Sequence, residues 1–327
     1  MKVTTIIDYT TPCLWTCLGK GVEGITKYLN IPVQTYERLA LLYYDKPAVD
    51  EEDIILIIEA GIVGVENQTY THDITTLSIL KEIFPNSKVV ILSSDAIFYI
   101  DVRKEPQVDF KYVDLFLDVD PRCVEHYQKE GIKADLWMWT LSDWLFGCAR
   151  GYYLTHKLDQ YEKKYDFIGV YNQDSLTYGY RKNLLDYIKQ NNLTFTSGGC
   201  NGTYDGNLLN LFNHYGMSKI TLGTTSHALH PDFHSFKGFR DWIGPVLGSM
   251  LIYDDFAQNY YKDIIPYYNY KTFDRLIDIA TKVNPMEWLP LQLEWAYHNT
   301  IDKQLVRLLL AHNLISQENI IDKSILL

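Results

Sequence analysis

The sequence lacks the features that would place it in several large protein classes. Cysteine is scarce: Cys13, Cys17, Cys123, Cys148 and Cys200 are odd in number, scattered, and nowhere spaced as CxxC. That excludes a disulfide framework and points to reduced thiols in a reducing compartment. No apolar run approaches the roughly 20 residues a bilayer span needs, and the longest, Ile54 to Gly64, is broken by Glu59. The start, MKVTTIIDYTTPC, has no basic region, signal-length apolar core or cleavage site, so a cytoplasmic location is expected, a host's cytoplasm if the source is viral. Positive charge is in deficit, with 30 Lys and Arg against 41 Asp and Glu and a net charge of -11. This argues against a broad basic surface for nucleic acid, so any such footprint must be local. There is no Walker loop, GxSxG elbow, HExxH helix or catalytic-cysteine signature, and no GxGxxG directly after a leading strand, which disfavours a dehydrogenase. Internal repeats, low-complexity tracts and heptad runs are also missing.

What is present is a folded α/β pattern. At 327 residues, 47% hydrophobic and 22% charged, the chain is expected to be ordered throughout and is long enough for two domains of roughly 100 to 200 residues each. The 26 tyrosines offer flat groups for stacking on bases or sugars, although core and interface filler is the commoner use of aromatic residues. Short β-branched runs alternate with amphipathic segments of helix length, as in βαβ units. Strands are expected at Val3–Ile7, Asp53–Ile58, Lys88–Leu92 and Val113–Leu117, with helices at Val22–Leu29, Ile74–Phe84 and Arg122–Glu130. Leu136–Lys164 carries no strand signal and marks the boundary. The pattern then restarts with strands at Phe167–Val170, Leu193–Thr196, Ile220–Leu222 and Ser249–Tyr253, interleaved with helices at Tyr180–Gln190, Asn207–Tyr215 and Gly238–Leu247. Helices at Lys271–Val283, Met286–Asn299 and Asp302–Asn313 close the chain, the last with an apolar face of Leu305, Leu308, Leu309 and Leu310. The reading is an α/β protein of two doubly wound, Rossmann-like domains facing a central cleft, residues 1–150 and 151–285, with helices of residues 286–327 bracing the interface.

Ligands of open α/β sheets bind beyond the carboxyl ends of the strands, where helix N-termini favour anions. Asp95 ends the run SKVVILSSD; it suits a general base for an acceptor hydroxyl, and on position alone it suits a helix cap equally well. Arg181 and Arg240 each lie just inside a helix after a glycine-containing turn. Together they suit a diphosphate, although a single arginine more often forms a surface ion pair. The stretch GKGVEG, Gly19 to Gly24, is read as an acceptor-side or phosphate-side loop. His227, His230 and His234 match no closed metal set and are expected to form a solvated or phosphate-facing loop, so no metal site is expected.

SKVVILSSD, the DFIGVY strand with its G-x-R turn at Gly179 to Arg181, and FRDWIGPVLGSMLIYDD from Phe239 together resemble the GT-B glycosyltransferases, and among them the bacteriophage DNA β-glucosyltransferase group. The resemblance implies an inverting transfer of glucose or a pentose from a UDP-sugar to a hydroxyl, that of 5-hydroxymethylcytosine in double-stranded DNA. It implies Asp95 as catalytic base, Gly169, Arg181, Arg240 and Asp254 as donor-binding residues, and Gly19 and Glu59 on the acceptor side; a need for Mg²⁺ or Mn²⁺ stays open. A glycan or small-molecule acceptor of the cell envelope, which the net charge favours, and a non-catalytic sugar-nucleotide binding protein are the alternatives. The family's ribose-binding Glu, three residues after the second arginine, is replaced here by Ile243, while Asp95 and both arginines favour the enzyme.

Overall fold

The computed structural model describes residues 1–7, 14–37, 49–59, 63–64, 75–93, 108–169, 179–197, 207–223, 239–254, 266, 268–270 and 272–326. The chain forms two compact units, Met1–Met138 with Ile301–Leu327, and Trp139–Thr300.

The first unit is built on a six-stranded sheet, all parallel, in the order β2-β1-β3-β6-β7-β8. Its strands are β1 (Lys2–Ile7), β2 (Val33–Glu37), β3 (Ile54–Glu59), β6 (Ser87–Leu92), β7 (Leu115–Asp118) and β8 (Ala134–Leu136). A short parallel pair, β4 (Val63–Gly64) and β5 (Thr75–Thr76), stands apart. Parallel strands are covered on both faces and so read as continuous apolar runs. Ile54 to Ile58 and Val89 to Leu92 are accordingly all buried. The edge strand β2, VQTYE, is half polar, as suits an edge, and gives no such signal.

The glycine-rich stretch expected as a loop is helical: α1 spans Leu14–Gly24 and a 3₁₀ turn, Ile25–Lys27, follows. Gly19 is buried within α1. The glycines of this stretch serve close packing. A Cβ on Gly21 would lie 2.6 Å from Ile301 Cγ2 and one on Gly24 only 1.4 Å from Asp302 Oδ1, so helix α10 (Ile301–Ala311) can approach only a bare backbone. Helices α2 (Leu77–Ile83) and α3 (Pro121–Lys129) cover the sheet. From α10 the Gln304 side chain clamps Met138, accepting its N–H at 2.9 Å and donating to its carbonyl at 3.0 Å.

The second unit carries a five-stranded parallel sheet in the order β10-β9-β11-β12-β13. These are β9 (Tyr165–Ile168), β10 (Phe195–Thr196), β11 (Ser218–Leu222), β12 (Met250–Asp254) and β13 (Tyr268–Tyr270). Its helices are α4 (Asp143–Thr155), α5 (Gly179–Gln190), α6 (Leu208–Gly216), α7 (Phe239–Val246), α8 (Asp274–Lys282) and α9 (Leu289–His298). The break expected at residue 150 falls inside α4, whose N-terminus is capped by the Ser142 hydroxyl accepting from the Leu145 N–H at 3.1 Å. The terminal helices, expected as one segment, divide: α9 belongs to the second unit and α10 to the first. Gln292 of α9 repeats the clamp of Gln304, exchanging two hydrogen bonds with the backbone of Leu251 at 2.9 and 2.8 Å. Each is a buried amide satisfied by the backbone of a single residue. Among the described residues no helix is long and apolar enough to cross a membrane.

A half-buried cation gives this unit a pH signature. The Lys163 ammonium donates to the Gly216 carbonyl at 2.7 Å, and burial lowers its pKa to about 8 from 10.5. Between those values the unfolded chain binds more protons than the folded one, so stability rises with pH across that window. Lys163→Met removes the titration. The stability of the wild type relative to this variant should therefore grow between pH 8 and 10, by at most about 3 kcal/mol. A pH-independent difference in denaturant midpoints would refute this.

Candidate functional site

In a doubly wound sheet the binding crevice opens where the strand order reverses. In the second unit β9 leads to β10 on one side, and the chain then returns to β11 on the other, so the switch point lies between β9 and β11. Both strands run out on glycine. Gly169 follows β9 and its N–H donates to the Thr196 carbonyl at 3.2 Å; Gly223 follows β11 and its N–H donates to the Ile252 carbonyl at 2.9 Å. A Cβ on Gly223 would lie 2.5 Å from the Tyr253 ring, so no side chain fits there.

The helices at this edge are α5, whose first turn contains Arg181, and α7, whose second residue is Arg240. Their side chains lie outside the described set, but the backbones that carry them are firmly placed. Leu184 and Ile188 bury α5 in the core. The whole of α7 from Asp241 to Val246 is buried. Trp242 stacks on Trp295 with ring centroids 4.3 Å apart. A Cβ on Gly244 would lie 2.0 Å from Thr221 Oγ1, a hydroxyl that donates to Ser249 Oγ at 2.9 Å. A helix seated so closely holds its N-terminus, with its unpaired N–H groups, in a fixed place at the sheet edge.

Sequence reasoning missed the contact that ties α7 to the sheet. The buried Tyr253 hydroxyl donates to the carboxylate of Asp241. Ile243 is wholly buried and belongs to the core, while the neighbouring carboxylate of Asp241 is engaged with Tyr253. Asp254, the last residue of β12, is 6% exposed.

In the first unit the order reverses between β1 and β3. The chain leaving β6 is fastened on two sides: the Ser93 N–H donates to the Leu117 carbonyl at 2.7 Å, and the Trp137 indole N–H donates to the Ser93 carbonyl at 2.8 Å. Asp95 lies two residues further on, outside the described residues. Glu59 ends β3 in register with Leu92; its side chain is likewise outside the description. Next to this edge the Asp120 carboxylate caps α3, accepting from the Arg122 N–H at 2.9 Å and from its guanidinium at 2.5 Å. Asp118 Oδ1 accepts the Asp120 N–H at 2.8 Å.

With both sheets and both edges described, comparison with solved structures is decisive for the architecture. A trehalose-6-phosphate synthase, studied for glycosyl transfer with retention, matches at a TM-score of 0.57 and 10% identity, over 97% of this chain and 100% of that one. The fold is that of the GT-B glycosyltransferases. The pneumococcal O-GlcNAc transferase GtfA, in complex with UDP and GlcNAc, also matches, at a TM-score of 0.46 and 13% identity over 81% of this chain and 57% of that one. No family model matches the sequence, and no curated protein does.

Against this GT-B frame, Gly169, Asp254 and the backbones of Arg181 and Arg240 all fall at the carboxyl edge of one sheet, and Glu59 at that of the other. Gly19 lies in α1. His227, His230 and His234 are outside the described residues, among which no three His, Cys, Asp or Glu side chains gather as a metal site.

Proposed function

We propose that the protein is a glycosyltransferase that takes a sugar from a UDP-type nucleotide donor and passes it to an acceptor hydroxyl. The observation that carries this reading is the edge of the second sheet. Two strands flanking the switch point end on glycine, and two helices, each with an arginine in its first turn, start at the same edge. That combination suits a diphosphate, because backbone N–H groups, helix dipoles and guanidinium groups all favure the same negative charge. The same groups would stabilise the nucleoside diphosphate as it leaves. The acceptor side falls to the first unit, with Asp95 as the base that takes the proton of the attacking hydroxyl in an inverting displacement.

Arg181→Ala and Arg240→Ala should each weaken UDP binding by about 1.5 to 3 kcal/mol, since each removes a charge-assisted contact. Calorimetry with UDP reads this directly, and unchanged affinity in both variants would rule out donor binding by the second unit. The stereochemical part is tested by NMR on the first turnover: inversion at the anomeric carbon fits Asp95 as base, and retention excludes it from that role.

A further inference from the structure

One buried side chain touches both parts of the proposed donor edge. Tyr253 lies on β12, beside the central strand β11, and is fully buried. On one side its ring covers Gly223, the residue that follows β11 at the switch point. A Cβ built on that glycine would lie 2.5 Å from Cε1 and Cζ of the ring and 2.8 Å from Cε2, so only a bare backbone admits the hydroxyl-bearing end of the ring. On the other side the hydroxyl donates to the carboxylate of Asp241, the third residue of α7 and the one directly after Arg240. Asp241 is itself buried. The strand behind the ring is fixed as well: Gln292 clamps the backbone of Leu251, two residues earlier, and Tyr253 stands in register with Asn269 of β13. A single side chain thus spans the glycine that ends β11 and the first turn of α7.

We infer that Tyr253 is a positioning residue for the donor: its ring and hydroxyl together set where the first turn of α7 stands relative to the Gly223 backbone, and so where Arg240 meets the diphosphate. This rests on the glycosyltransferase reading and on donor binding by the second unit. A ring that only filled the core would serve as well without its hydroxyl, which in a buried site must find a partner. Here the partner is a carboxylate, which makes the bond a charge-assisted one. It also falls on the first turn of a helix, the part that the helix's own hydrogen bonds hold least. Groups that recognise a ligand lose their effect when their support lets them shift by about 1 Å, and the Tyr253 to Asp241 bond is the described support nearest to Arg240 in the chain.

The test uses the full chain. Tyr253→Phe keeps the ring over Gly223 and removes only the bond to Asp241. Calorimetry with UDP, at a temperature where circular dichroism shows wild type and variant equally folded, should find the Kd raised by roughly 5- to 10-fold, the worth of one such hydrogen bond. In an Arg240→Ala background the same substitution should change the Kd by less than about 2-fold, because the group it places is gone, whereas in an Arg181→Ala background it should keep its full effect. Asp241→Asn retains an oxygen that accepts from the Tyr253 hydroxyl and should lose less affinity than Asp241→Ala. A merely structural role predicts something else: a lower unfolding midpoint with unchanged UDP affinity, or equal effects in both arginine backgrounds. Either result overturns the inference. Failure of the wild type to bind UDP is a separate outcome, in which the glycosyltransferase reading itself fails and the inference falls with it.

Discussion

Asp95→Asn is expected to lower turnover by roughly 10² to 10⁴ while leaving UDP affinity unchanged, because a general base acts on the chemical step alone. The residue belongs to the first unit and the proposed donor edge to the second, so binding and chemistry should separate cleanly in one variant. Two residues before it, Ser93 is held on two sides by the Leu117 carbonyl and the Trp137 indole. The competing role, a helix cap, predicts the opposite result, since Asn replaces Asp at that position almost without loss. Steady-state UDP release and calorimetry on the same preparation distinguish the two, and near-normal turnover would sink the base assignment.

How far the sequence was legible follows from what each element rests on. Strands buried on both faces, such as Ile54 to Ile58 and Met250 to Tyr253, announce themselves by continuous apolar residues. So does the alternation with helices that implies a doubly wound sheet, and from it the positions of Gly169 and Asp254 at strand ends. The edge strand β2, VQTYE, is half polar, and β13 is only three residues long, so neither gave such a signal. The N-terminus of α4 was legible in hindsight, from Ser142 as cap and Asp143 in the first turn. The glycines of α1 misled, because a glycine kept for a neighbouring helix looks the same in sequence as one kept for a turn. Gln292, Gln304 and the Tyr253 to Asp241 contact could not be read at all. Each is a polar side chain whose burial depends on a partner at a distance along the chain, 41, 166 and 12 residues away, and periodicity says nothing about such pairs.

Gly244→Ala should destabilise the second unit by about 2 to 3 kcal/mol and weaken UDP binding along with it. Helix propensity alone predicts the reverse, a gain of about 1 kcal/mol for Ala over Gly in a helix interior. Packing decides the sign. The new methyl would sit 2.0 Å from Thr221 Oγ1, 2.8 Å from Thr221 Cβ and 3.2 Å from the Ser249 carbonyl, and Thr221, on the central strand β11, is 1% exposed and has no room to retreat. The helix must therefore lift from the sheet, straining the Trp242 stack and the Tyr253 to Asp241 hydrogen bond; overpacking of this kind costs about 1 to 3 kcal/mol. Arg240 rides on the same helix, so the donor edge moves with it. Thr221→Ala in the Gly244→Ala background should recover part of the stability, because it removes the nearest atom while leaving the contact with Cβ, and a double-mutant cycle in urea measures that coupling. Strict additivity of the two substitutions, or a Gly244→Ala protein as stable as the wild type with unaltered UDP affinity, would show that α7 is not seated on β11 as described and that its fixed N-terminus does not hold the donor.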